Sequence, residues 1–137
     1  MIIIVKNKKL GEKYMEYEFV VRVFHVDEQD VVVIPMFIHK KDNSMWVTLK
    51  IISEIFDVNP SEVQRHIEYI FEDRELNRDD STQKNNNAVL YDLDVLISVG
   101  FRINSDSALL FRKWTIKIIK EYIIKGFAVD EELLINS

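Results

Sequence analysis

The stretch from Thr48 to Phe71, TLKIISEIFDVNPSEVQRHIEYIF, leaves the chain little freedom in how it folds. Leu49, Ile52, Ile55 and Phe56 recur at the spacing of one helical face. The pattern halts at Asp57-Val58-Asn59-Pro60 and restarts as Val63, Ile67, Ile70 and Phe71. Proline has no N–H to donate and a fixed φ, so Pro60 suits the first position of a second helix better than the middle of a continuous one. Asn59 offers a cap, and Glu62 stands where the acid of a capping box belongs. Two short amphipathic helices joined by a tight turn, with Val58 pointing inward, read as a helix-turn-helix. A plain helical hairpin buried in a core fits the same pattern.

The flanks extend this unit into an α+β chain. Residues 2–6 read as a strand, and Lys6-Asn7-Lys8-Lys9 as an exposed turn. Tyr17–Val26 and Val31–Ile38 are rich in β-branched and aromatic residues and form a hairpin leader around Asp27-Glu28-Gln29-Asp30. Pro35 places its strand at an edge or a bulge. Met45-Trp46-Val47 is a short strand with Trp46 as a core anchor. Thr82-Gln83-Lys84 and Ala88-Val89-Leu90 flank Asn85-Asn86-Asn87, and asparagine tolerates the left-handed backbone of tight turns. A hairpin there would be a wing; an irregular loop is the alternative. Helices are expected near 48–56, 60–72, 91–101 and 107–126. The last carries a buried stripe of Phe111, Trp114, Ile118 and Tyr122, widened by Ile119 and Ile123 and reaching Phe127, before a short tail over 130–137. The expected architecture is a winged helix-turn-helix over 47–137, with a β-rich leader over 1–46 packed on it and a long C-terminal helix.

At 137 residues the chain has the size of one domain. Without cysteine it has no disulfide, thiolate metal site or cysteine nucleophile. No apolar run approaches the ~18 residues of a membrane span. Met1–Val5 lacks the basic lead of a signal peptide, so the expected location is cytoplasmic. Three scattered histidines give no metal-ligand spacing, and the serines form no nucleophile elbow. Asp92 and Asp94 suit a helix N-terminus better than a catalytic pair. The residues therefore argue against an enzyme, a metal or a cofactor.

Charge is distributed unevenly. Residues 47–80 hold four basic side chains (Lys50, Arg65, Arg74, Arg78) against nine acidic ones, which accounts for the whole net charge of −5. Residues 112–125 carry five basic side chains against Glu121 alone, a local +4. The acidic excess opposes duplex binding, because phosphate neutralisation supplies most non-specific affinity.

The run from Tyr91 to Ser105, YDLDVLISVGFRINS, resembles the signature of the RhuM family of virulence-associated proteins. Phe111-Arg112-Lys113-Trp114 and Lys120 to Asp130 continue the pattern, and 55–58 and 66–72 are similar to its helix-turn-helix portion. The resemblance spans 46 to about 134. It implies a DNA-binding-like N-terminal domain and a setting in pathogenicity islands and prophages. The chain departs from the family's pattern at Asp106–Leu110, which lacks the usual basic, glycine-containing segment. It also ends sooner, and its β-rich leader is longer, as in a reduced or truncated member.

Two functions follow as expectations. In the first, the chain is a DNA-binding regulator: Ser61, Gln64, Arg65 and Glu68 project from the second helix towards base edges, while Lys50 and Lys84 touch phosphates. Binding would require a homodimer, with the leader strands around Pro35 as its surface. In the second, an acidic second helix carrying Glu62 and Glu68 docks on a host protein, as an inhibitor or anti-defence factor.

Overall fold

The computed structural model describes residues 2–6 and 16–126. The expected turn beyond Lys6, the contribution of Phe127 and the tail over 130–137 lie outside them. The described residues form a mixed α+β architecture in which one antiparallel sheet carries the helices. The strands are β1 (Ile2–Lys6), β2 (Tyr17–His25), β3 (Val31–His39), β4 (Met45–Val47), β5 (Thr82–Asn85) and β6 (Ala88–Asp92), in the spatial order β1-β2-β3-β4-β6-β5. The helices are α1 (Leu49–Phe56), α2 (Pro60–Glu72), the short α3 (Arg78–Ser81), α4 (Leu93–Gly100) and α5 (Asp106–Lys125).

The three-residue β4 joins what the sequence shows as separate pieces. It pairs Trp46 with Phe37 of β3 on one side and with Asp92 of β6 on the other. The N-terminal strands and the β5–β6 hairpin thus share one sheet. β4 reaches only Phe37 and Ile38, so among the described residues Val31–Met36 of β3 pairs with β2 alone. Pro35 sits in that stretch, where a free edge removes the cost of its missing donor. The hairpin turn has Asn86 at φ 49° and Asn87 at φ 68°, the left-handed pair that a two-residue turn requires.

Register assigns the sheet faces. Phe24 pairs with Val32 and Val20 with Met36; Phe24 also meets Trp114 of α5 at 4.6 Å between ring centroids. That face, with buried Val32, Ile34 and Met36, lies beneath the helices. The opposite face carries an aromatic cluster in which Phe37 meets both Tyr17 and Phe19 edge-on, with Trp46 beside it as its register partner. Trp46 is buried, as an anchor should be.

Caps account for the helix boundaries. Thr48 Oγ1 accepts from Ile51 N at 3.1 Å to start α1. Asp57 ends it in the left-handed region at φ 53°, and Val58 N donates back to Ser53 O at 3.1 Å. Val58 is half-buried against the core, in the inward position expected of it. α2 opens at Asn59 with Pro60 in its first turn, but the Asn59 side chain makes no cap bond. Its carbonyl accepts from Glu62 N and Val63 N instead, and Glu62 lies 4.0 Å from His66. The expected capping box is therefore not formed. Ser105 caps α5 by accepting from Ala108 N at 3.0 Å, and it donates to Phe56 O at 2.7 Å, which ties α5 to the end of α1.

Two further expectations, the start of α4 and the extent of the buried stripe on α5, need correction. The helix expected from Tyr91 begins at Leu93: Tyr91 and Asp92 belong to β6 and pair with β4, and Leu93, expected on the apolar face, is exposed. The polar run before the hairpin contains α3, started by Asn77 Oδ1 accepting from Asp79 N and Asp80 N. The buried stripe of α5 stops halfway. Phe111 is buried, and Trp114 and Ile118 are half-buried, but Ile119 is 48%, Tyr122 59% and Ile123 77% exposed. The helix runs past the sheet's end, where Lys117 Nζ reaches Val26 O at 3.4 Å. Beyond that point no described layer remains to cover it.

Candidate functional site

α2 has two faces with different chemistry. Val63, Ile67 and Ile70 are fully buried, which fixes the rotation of the helix about its axis. One turn apart on the outer side, Ser61, Arg65, Tyr69 and Glu72 are exposed. Between these faces lies a polar seam. Gln64 Nε2 donates to Glu68 Oε1 at 2.8 Å, and Arg78 of α3 donates to Glu68 Oε2 at 2.8 Å. The Arg78 guanidinium also lies 4.5 Å over the Phe71 ring. Tyr91 of β6 lies close enough to the seam for Arg78, Glu68 and Gln64 to act on its phenol, whose pKa burial pushes up.

Of the residues singled out from sequence, Ser61 and Arg65 therefore stand outward together. Gln64 and Glu68 are only partly exposed, bond to each other, and tie α2 to α3 through Arg78. Glu62 is partly exposed beside His66, whose imidazole is held below its ordinary pKa by burial and then by Arg65. Lys50 is exposed on α1. Lys84 is exposed on β5, where it pairs with Val89; Thr82, two residues away, pairs with Tyr91. The period-two pleat puts Lys84 on the same hairpin face as Tyr91, the face turned towards α2.

Sequence reasoning passed over Tyr69, although its spacing of four from Arg65 on the outer face was enough to find it. It also passed over Arg78 and Arg102, whose partners lie far along the chain. Arg102 donates to Glu75 at 2.8 Å and to Asp73 at 3.4 Å, closing the C-terminal end of α2 against α4.

Asp92 caps α4 by accepting from Val95 N at 3.1 Å, the role its position suggested. Burial raises its carboxyl pKa, against hydrogen bonds from Val95 and Ser81 that lower it. The described residues bring no three metal-ligating side chains together, and none of their helices is long and apolar enough to cross a membrane. The arrangement offers a ridge of one hydroxyl, one guanidinium, one phenol and one carboxylate beside a lysine-bearing hairpin. Such a ridge can recognise a surface by hydrogen bonding and charge.

No curated protein and no solved structure matches the chain. A family model does, over residues 69–137, half of the chain. The match enters near the end of α2 and takes in α3, the hairpin, α4 and α5, the segment that holds the YDLDVLISVGFRINS run. The chain belongs to the Virulence protein RhuM family.

Proposed function

We propose that this chain is a winged helix-turn-helix regulator that binds duplex DNA, with α2 as the recognition helix and the β5–β6 hairpin as the wing. The observation that carries this reading is the seam between them. Gln64 and Glu68 of α2 bond to each other and to Arg78 of α3, the three lie close enough to Tyr91 of the hairpin to act on its phenol, and Lys84 shares the Tyr91 face of that hairpin. Ser61 and Arg65 at the N-terminal end of α2 are then placed to meet base edges, and Lys50 and Lys84 to meet phosphates. The acidic excess over 47–80 weakens one copy alone, so binding uses two copies that pool Lys50, Arg65 and Lys84.

A second reading takes its support from the same acids. Glu72, Asp73, Glu75, Asp79 and Asp80 are exposed around the end of α2 and along α3, which suits a basic protein partner. The chain would then act as an inhibitor through charge complementarity.

Mobility shift of a labelled duplex across a salt series separates the two. DNA binding predicts affinity that falls steeply with salt. It also predicts a loss of about 1–3 kcal/mol for Arg65→Ala at a specific site, and a uniform loss with a shallower salt slope for Lys84→Ala. No shift at low salt for the wild type, with a shift appearing only in Glu62→Lys and Glu68→Lys, would leave the protein-partner reading.

A further inference from the structure

The outer side of α5 is apolar where nothing described covers it. Ile116, Ile119, Ile123 and Ile124 are all exposed on the half of the helix that runs past the sheet. Lys113, Lys117, Lys120 and Lys125 line a shallow surface depression together with Ile116 and Ile124, and Glu121 is the single acid among them. Lys117 also reaches the Val26 carbonyl, which leaves Lys120 and Lys125 as the cations farthest along the projecting end. A helix that offers aliphatic side chains between lysines fits a partner surface that is both acidic and apolar.

The same chain carries such a surface. At the C-terminal end of α2, exposed Tyr69 is followed at helical spacing by exposed Glu72 and Asp73. Arg102 holds Asp73 and Glu75, and its neighbour Phe101 is exposed as well. Tyr69 and these carboxylates lie within the segment that holds the −5 excess, with Arg102 offsetting part of the charge of Asp73 and Glu75 and Arg74 exposed between them. The α5 face has aliphatic groups among lysines within a segment of +4. The two match in charge and in apolar content. Two α5 helices facing each other would instead set lysine against lysine.

We infer that the projecting half of α5 docks on the acidic, aromatic face around Tyr69, Asp73 and Phe101 of a second copy of this chain. This contact rests on the two faces themselves and not on the DNA reading, with which it would compete for the outer side of α2, and it places self-association at α5 in preference to the β3 edge. Because each copy carries both surfaces, the contact can be made reciprocally.

Sedimentation velocity of the full chain over a range of concentrations, at low and at high salt, tests this. The wild type should associate, and salt should weaken the association. Lys120→Glu with Lys125→Glu should raise the dissociation constant roughly ten-fold or more, and so should Glu72→Lys with Asp73→Lys. Mixing these two double variants should restore association, because each reversed face then meets an opposite charge. Ile123→Asp should break the contact without lowering the monomer's melting temperature, which excludes misfolding as the cause. A wild type that stays monomeric at all concentrations overturns the proposal. So does association that is insensitive to the acidic-face variant or strengthened by the lysine reversals, since that outcome would mean α5 pairs with α5. A mixture that fails to associate overturns it too.

Discussion

α5 is one helix with two environments. Up to Trp114 it is built into the fold: Ala108 and Phe111 are buried, Ser105 and Arg112 bond to the backbone of α1 and α4, and Trp114 lies against Phe24. Beyond Ile118 the same helix continues with Ile119, Tyr122, Ile123 and Ile124, and all four are exposed. α2 shows what a fully covered helix looks like, since its apolar face is buried from Val63 to Ile70. The contrast separates two things that periodicity merges. A repeat of 3.6 identifies which residues share a face, but whether that face is covered depends on where the neighbouring layer ends.

The largest effect should come from the packed half. Phe111 meets Phe56 edge-on at 5.1 Å and Trp114 at 5.8 Å. Phe111→Ala should cost about 3–5 kcal/mol in chemical denaturation, through lost burial and the cavity left behind. A loss below about 1 kcal/mol would mean that this half of the helix is no better anchored than the other.

Next in size is the junction where α4 passes beneath α5. A Cβ added at Gly100 would lie 2.6 Å from the Phe111 ring and 3.0 Å from Phe56. Gly100→Ala should therefore destabilise by roughly 1–3 kcal/mol, although alanine is the better helix former. If Gly100→Ala combined with Phe111→Leu recovers stability, the cost is steric and lies at this contact. If the double variant is worse than either single one, the cost lies elsewhere.

Much of this architecture was legible in the sequence because its signals are local. Pro60, the Asn86-Asn87 turn, the cap at Asp92 and the buried spacing of α2 each depend on residues within one turn of each other. The cover over α5, the bridge made by β4, and the Glu68–Arg78 and Arg102–Glu75 pairs depend on distant segments. Tyr91 and Asp92 continue a helical pattern by residue type, yet the β4 ladder claims their backbone. At the candidate site, exposure followed from phase for Ser61 and Arg65. Gln64 and Glu68 were drawn into a seam by Arg78, which stands ten residues beyond Glu68.

A smaller, pH-dependent effect belongs to the cap of α4. Burial holds the Asp92 carboxyl above its ordinary pKa, so the folded state favours its protonated form. Its contribution to stability is full below the unfolded-state pKa and is lost as pH rises through the raised folded value. Asparagine caps about as well as aspartate and does not ionise. Asp92→Asn should therefore gain stability relative to wild type as pH rises from about 3 to about 7 in parallel denaturation series. A difference that stays flat with pH would mean that the hydrogen bonds from Val95 and Ser81 offset burial at this carboxyl, and one that falls as pH rises would mean that they outweigh it.

The smallest effect should come from the projecting half of α5, and it bears most directly on the contrast between the two. Ile119 and Ile123 stand on the outer side, where neither meets a described layer of the fold. Serine has a helix propensity close to that of isoleucine, so Ile119→Ser and Ile123→Ser remove apolar surface while leaving the helix nearly as easy to form. At concentrations dilute enough for the chain to be monomeric, each should change stability by no more than about 0.5 kcal/mol. Helical content should also be unchanged, since residues up to Trp114 anchor the helix independently. A loss above about 1 kcal/mol in the dilute monomer would show that the outer stripe is covered within a single copy. The contrast between the two halves of α5 would then fail, and the docking surface with it.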